Sequence, residues 1–397
     1  MPEPIRVLMV SGGTGGHIFP ALAVAEELRR RSEVGPRRYE IEFLGTTRPL
    51  EAKLIPRAGF RLQTVQAAGL KGIGGLRWFR NFLILPRTAF AVGCILREFQ
   101  PHVVLGVGGY LAGPALLEAA LAGIPTVLIE PNATPGLTNR LLAPMVRAAA
   151  LGFAETAHVY GTKAHMTGHP VRREFFAIPP RHRAAQALLP VQGRQPGAAQ
   201  SPAQPGVAVP PAAQAHEPEL PFTILVVGGS QGSRAINQAV RDTVPLLAGE
   251  AYPIRVVHQS GEHDYNELRK SYDERGLPVE VQAFIDDMPA RLAQADLVIS
   301  RAGATAVTEL AAAGRASILV PFPGATDQHQ LENARVMEKA GAARVILQAE
   351  LTPVRLAKEI QVLVADPAGV GKMEAAARCL ARPDAAERIA DLVEAVA

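Results

Sequence analysis

Ile5-Arg6-Val7-Leu8-Met9-Val10-Ser11-Gly12-Gly13-Thr14-Gly15-Gly16-His17, followed by a helical pattern from Ile18 to Arg31, decides the fold. A continuous apolar run suits a strand covered on both faces, and the glycines suit a tight turn. Leu22, Ala25 and Leu28 then mark one face of a helix. The same order returns in the second half, with a strand from Thr223 to Val227, Gly228-Gly229-Ser230-Gln231-Gly232, and a helix from about Ala235. Further strands are expected at Tyr39 to Leu44, Val103 to Leu105, Thr126 to Ile129 and around Ala149 to Gly152. Others are expected at Ile254 to His258, Val279 to Ala283, Leu297 to Ile299 and Ser317 to Val320, with helices between them, as at Pro114 to Leu121. This alternation predicts an α/β chain of two Rossmann-like, doubly wound parallel-sheet domains facing a cleft. Ligands of such sheets bind at the carboxyl ends of the strands.

The 397 residues suit two cores. They divide into a first domain over 1–165, a linker over 166–178, a Pro/Ala-rich insert over 179–221, a second domain over 222–375 and a terminal helical segment over 376–397. The insert has little to bury and is expected to be disordered. The formal charge of +4 is too mild to argue for nucleic acid, and suits an anionic membrane or phosphorylated substrates. Cys94 and Cys379 stand far apart and outside metal-ligand spacing, so neither a disulfide nor a metal site is expected and a reducing cytoplasm is the simpler reading. The Ile5 to Val10 run is too short for a signal peptide, and no stretch is long and uncharged enough to span a bilayer, so membrane contact would be peripheral.

Each motif has a functional reading beside a structural one. The Gly12 to His17 turn offers free helical N–H groups to an anion, or is only a turn; His17 faces the cleft in the range of a titratable base. The second strand closes on Gly45-Thr46-Thr47 with no acidic ribose ligand, which disfavours a dinucleotide. Gly106-Val107-Gly108-Gly109-Tyr110 pack against a ligand or merely against a neighbouring loop. Gly228 to Ser233 can cradle a diphosphate through backbone N–H groups and the Ser230 hydroxyl. Glu309, in the helix after Ser300, can accept two hydrogen bonds from a ribose, and Asp327, Gln328, His329, Gln330 and Asn333 supply partners for a sugar. Leu70 to Leu85 mixes Trp78, Phe79 and Phe82 with Lys71, Arg77 and Arg80, which fits either a membrane patch or a helix packing on the core.

Taken together, these stretches resemble the MurG family of UDP-N-acetylglucosamine transferases that convert lipid I to lipid II. The resemblance runs through GGTGGHIFPALAVAEEL from Gly12, GVGGYLAGP from Gly106, EPNATPGLTNRLLA from Glu130 and GHPVR from Gly168. It continues through LVVGGSQGSRAIN from Leu225, HQSG from His258, FIDDM from Phe284, SRAGATAVTELAAAG from Ser300 and PFPGATDQHQLENA from Pro321. It implies a GT-B fold and an inverting, cofactor- and metal-free transfer of GlcNAc from UDP-GlcNAc to undecaprenyl-pyrophosphoryl-MurNAc-pentapeptide, with no nucleic acid involved. It implies that the first domain faces the acceptor and an anionic membrane surface at the cytoplasmic face of the inner membrane, and that the second binds UDP-sugar. Carried over by position, Ile285 meets the uracil through its backbone and Glu309 the ribose. Ser230, Ala304, Thr305, Ala306 and Arg172 face the diphosphate. Gln330 reads the sugar, Thr14, Gly15, Gly16 and Asn132 approach from the first domain, and His17 is the catalytic residue. Gly108, Gly109 and Tyr110 face the acceptor, with Trp78, Arg80 and Phe82 at the membrane. The sequence departs from the family at Pro131, where Gln is frequent, at Ala112, where Ser is, and at His169, where Asn is common.

Overall fold

The structure, a computed structural model, describes residues 3–12, 15–66, 75–109, 111–181, 221–229, 231–247, 253–325 and 328–397, with 75–86 described for their backbone alone. The first sheet contains β1 (Ile5–Val10), β2 (Tyr39–Gly45), β3 (Arg61–Thr64), β4 (Val103–Gly106), β5 (Thr126–Glu130), β6 (Ala148–Leu151) and β7 (Ala164–Met166). Their spatial order is β3-β2-β1-β4-β5-β6-β7, parallel throughout. The second sheet contains β8 (Phe222–Val227), β9 (Ile254–Gln259), β10 (Val279–Gln282), β11 (Leu297–Ser300), β12 (Ser317–Leu319) and β13 (Ala343–Val345). Its order, β10-β9-β8-β11-β12-β13, is also wholly parallel. In both sheets the order reverses beside the strand that precedes the glycine-rich turn, between β1 and β4 and between β8 and β11, and such switch points open a crevice for a ligand.

Central strands are buried on both faces, as their unbroken apolar runs require: Val7 to Val10, Val103 to Leu105 and Val127 to Ile129 are fully enclosed. One side of the first sheet packs Leu8, Val10, Leu96, Val104, Leu116 and Leu128 together. The other packs Val7, Met9, Ile18, Leu28, Leu105 and Ile129, joined there by Ile389, Ala390 and Val393 of the last helix, Ala385–Val396. The chain therefore returns to its first sheet after completing the second. Buried Glu27 on the Gly15–Val34 helix helps to hold this return: it takes Arg30, Arg31 and, from beyond the first domain, Arg173.

Three strands escape a reading for apolar runs: β3, β7 and β13. They are three or four residues long, all three are sheet edges, and several of their side chains are exposed or half-exposed. The first helix starts at Gly15 rather than Ile18, which places His17 inside its first turn. The expected Pro/Ala-rich insert over 179–221 lies outside the described residues except for 179–181 and Pro221. Leu70 to Leu85 is described only as backbone of the helix Gly75–Phe99, so Trp78, Arg80 and Phe82 cannot be compared with the expectation. Thr14, Tyr110, Ser230 and Asp327 also lie outside the described residues.

Candidate functional site

At the end of β1, His17 is half-buried against the β4 loop. A Cβ on Gly108 would come within 3.3 Å of the His17 ring, and one on Gly109 within 2.6 Å of the Gly12 carbonyl. Both glycines have positive φ, 94° and 87°, so a side chain there would be strained as well as crowded. Burial holds the His17 pKa below its ordinary value, against the pull of its hydrogen bond with the Gly12 backbone and the field of Glu51; His329 pushes the same way as burial. Glu51 is fully enclosed at the end of β2, accepting from the Thr46 backbone N–H and, at 2.7 Å, from the Thr46 hydroxyl.

At the end of β5, Glu130 has no exposure. It accepts from Asn132 N–H at 3.1 Å, Asn139 Nδ2 at 2.8 Å, Gly136 N–H at 3.3 Å and the Tyr160 hydroxyl at 3.4 Å. Even with these donors, burial raises its pKa. Glu130 thus shapes the loop that presents Asn132. The Asn132 Oδ1 in turn accepts from Asn333 Nδ2 at 3.3 Å, while Asn333 Oδ1 accepts from Ala133 N–H at 3.0 Å. Asn333 also donates to the Ala302 carbonyl at 3.2 Å, so this buried amide ties the loop after β5 to the loop after β11.

In the second domain, the helix Ala304–Ala313 begins at Gly303 with no side-chain cap on its first-turn N–H groups. Thr305 donates to the Gly16 carbonyl at 3.0 Å, which brings the first glycine-rich turn against the start of this helix. Glu309 lies on the same helix. Burial pushes its pKa up to about 7, opposed by Arg172, whose guanidinium stands 3.6 Å away. Arg172 is held by Glu174 at 2.9 Å and stacks over Phe19 and Phe175 at 4.3 and 4.8 Å. Its charge is therefore directed at the residue expected at the ribose.

Ile285 is buried, and its N–H donates to Gln259 Oε1 at 3.0 Å; Gln259 Nε2 donates to the Gly229 carbonyl at 3.0 Å. This pairs the backbone expected at the base with the turn expected at the diphosphate, through a glutamine that no motif had singled out. Gln330 Oε1 accepts from Phe322 N–H at 3.0 Å and so shapes the loop that should meet the sugar. His258, inside HQSG, is a satisfied core residue between Tyr272 and Asn237, its pKa pushed down to about 4 by burial. Asp286 pairs with Lys53 at 3.0 Å and Asp287 caps Ala290 N–H at 3.2 Å, so both carboxylates are committed. A cavity of about 750 Å³ opens elsewhere at the domain junction, bounded by Phe153, Met166, His169, Val307 and Leu380. None of the residues expected at the substrate lines it, so the cleft at the strand ends remains the candidate site.

Two doubly wound parallel sheets, each with a glycine-rich turn at its switch point, are the architecture of the GT-B glycosyltransferases. The chain belongs to glycosyltransferase family 28: residues 7–151 match its N-terminal domain and residues 223–389 its C-terminal domain. The UDP-N-acetylglucosamine–N-acetylmuramyl-(pentapeptide) pyrophosphoryl-undecaprenol N-acetylglucosamine transferase of Solibacter usitatus is 40% identical to it over 98% of this chain and 96% of the relative. The protein of the same name from Syntrophotalea carbinolica is 41% identical over 97% of each. Among solved structures, Acinetobacter baumannii MurG superposes with a TM-score of 0.70 at 27% identity, covering 99% of this chain and all of that one.

Proposed function

We propose that this enzyme transfers GlcNAc from UDP-GlcNAc to the MurNAc C4 hydroxyl of the lipid-linked acceptor named in its relatives, with inversion at the anomeric carbon. The observation that carries this is the bond from Thr305 to the Gly16 carbonyl, which joins the turn that bears His17 to the uncapped start of the Ala304–Ala313 helix. His17 is the base. Burial favours neutral imidazole, the form that can accept the proton of the acceptor hydroxyl. As the C4 oxygen bonds to the anomeric carbon, the bond to the β-phosphate oxygen breaks and UDP leaves with that electron pair.

The helix start at Ala304, Thr305 and Ala306 and the turn at Ser230 stabilise the charge developing on the diphosphate, an electrostatic role that replaces a cation. Glu309 takes the ribose hydroxyls, Ile285 the uracil and Gln330 the sugar, while Asn132, Thr14, Gly15 and Gly16 close over the donor. Arg172 is assigned to the diphosphate as well; here its guanidinium pairs with Glu309 and Glu174 and stacks on Phe19 and Phe175, contacts it exchanges for the phosphate oxygens when the donor binds. Gly108, Gly109 and Tyr110 border the acceptor. The domain limits at 165, 178, 221 and 375 serve the same reading: an acceptor half, a hinge and a donor half, locked by a returning terminal helix.

Purified protein, UDP-GlcNAc and a short-chain lipid acceptor analogue in EDTA are expected to yield UDP and the disaccharide product together. Complete loss of turnover in EDTA would show that a metal does what the helix start is assigned here. UDP release without acceptor would instead favour a hydrolase or an epimerase-like reaction.

We also place the enzyme peripherally on the cytoplasmic face of the inner membrane. Among the described residues no helix is long and apolar enough to cross a bilayer. The helix Gly75–Phe99 carries Trp78 and Phe82 beside Arg77 and Arg80, a composition that suits an anionic interface. A Trp78→Ala, Arg80→Glu, Phe82→Ala variant is expected to lose sedimentation with phosphatidylglycerol vesicles, and unchanged sedimentation would discard this patch.

A further inference from the structure

Pro20 lies within the first helix, Gly15–Val34. An α-helical carbonyl at position 16 bonds the N–H four residues on, and proline has none, so the Gly16 carbonyl lacks its ordinary helical donor. Thr305 fills that gap from the other domain, with Oγ1 3.0 Å from the Gly16 carbonyl oxygen. The same hydroxyl lies 3.2 Å from Nε2 of His169, in the segment that joins the two domains. A hydroxyl has one proton, and a carbonyl can only accept. Thr305 therefore donates to Gly16 and accepts from Nε2–H of His169, which fixes the tautomer of that imidazole. His169 is 3% exposed, its Nδ1 has no partner, and burial with the field of His17 pushes its pKa down to about 3. Neutral imidazole and the relay agree.

We propose that His169–Thr305–Gly16 is a closure latch, in which one hydroxyl joins the hinge segment, the donor domain and the helix turn that carries the base. Gly16 contributes the carbonyl of the peptide whose nitrogen belongs to His17, so closing the latch fixes the peptide plane from which the imidazole projects. Thr305 is then a positioning residue: its side chain acts on His17 through Gly16, while its backbone N–H belongs to the helix start. Opening the cleft breaks the bond to Gly16 and leaves that carbonyl to water. The closed domains thus gain a hydrogen bond that the proline has kept vacant within the helix.

The two cysteines of the chain supply a direct readout, since Cys94 on the helix Gly75–Phe99 and Cys379 on the helix Pro367–Leu380 are both exposed and sit on different domains. Donor and acceptor dyes on this pair report domain closure by energy transfer in saturating UDP-GlcNAc. Thr305→Val is expected to shift the transfer distribution from that of the wild type, and to lower kcat about tenfold while KM for UDP-GlcNAc changes by less than about twofold. Thr305→Ser keeps the hydroxyl and is expected to restore the wild-type distribution and most of the lost kcat. A Thr305→Val chain with wild-type energy transfer overturns the latch, as does a Thr305→Ser chain that behaves like the valine variant. The kcat comparison rests on the transferase reading, but the energy-transfer comparison does not. A wild type with no acceptor-dependent turnover would count against that reading and leave the latch to be decided by the dyes.

Discussion

Replacing His17 by alanine is expected to lower kcat by about 100- to 10,000-fold, the range over which a positioned general base contributes. UDP binding should change little, because His17 lies on the first domain against Gly108 and Gly109 while the nucleotide contacts are assigned to the second. The pH dependence separates this base from its neighbours. Burial, the largest influence on His17, disfavours the imidazolium and moves its pKa below the usual value of 6.5. The base is therefore available above that shifted value, and kcat should hold steady from pH 8 downward until His17 protonates on the acid side of 6.5. His17→Ala should abolish that acid limb together with most of the rate. Residual kcat above a few per cent of wild type would assign the proton transfer elsewhere and leave His17 to orient the acceptor.

Glu309 carries the second large effect, and it acts on affinity. Burial raises its pKa to about 7, so in the free enzyme the carboxylate is half-protonated near neutrality in spite of Arg172 at 3.6 Å. A carboxylate accepts two hydroxyl hydrogen bonds where the acid accepts them weakly, so UDP affinity should rise as pH increases through 7 and level off above it. Glu309→Ala is expected to raise the Kd for UDP by about 10- to 100-fold at pH 8, the loss expected for hydrogen bonds to a charged group in a partly dry site. Glu309→Gln should flatten the pH profile between 6 and 8. Calorimetric titration of UDP at several pH values in buffers of different ionisation enthalpy reads both quantities. A wild-type profile already flat over that range would place the ribose on another residue. The two predictions are separable, because one appears in kcat with nucleotide saturating and the other in binding without acceptor.

The local parts of this molecule could be read from the chain. Unbroken apolar runs such as Val7 to Val10 mark strands covered on both sides, and glycines directly after them mark the turns. Repetition of that unit at Thr223 fixes the doubled architecture. His17 and Gln330 stand at helix starts and Glu309 one turn into its helix, positions that short motif spacings mark as candidates. The boundaries shifted by a few residues, as at Gly15, because the first turn of that helix is stabilised partly from across the cleft. Glycines that would be poor helix formers in isolation are accommodated there by tertiary contacts.

What the tertiary structure alone decided is how those residues are held. Asn333 reaches Ala133 across 200 positions, Thr305 reaches Gly16 across 289 and Gln259 reaches Ile285 across 26. Arg172 turns to Glu309, and Glu130 gathers the amides of the loop that presents Asn132. Secondary structure leaves a trace in the chain because helix hydrogen bonds link residues four apart and because the burial of helix faces and strands repeats locally along the sequence. A hydrogen bond from a side chain to a group brought near only by folding has no period. Its partners are set by where the sheets place their strand ends, so the sequence supplied the groups and the packing of two domains paired them.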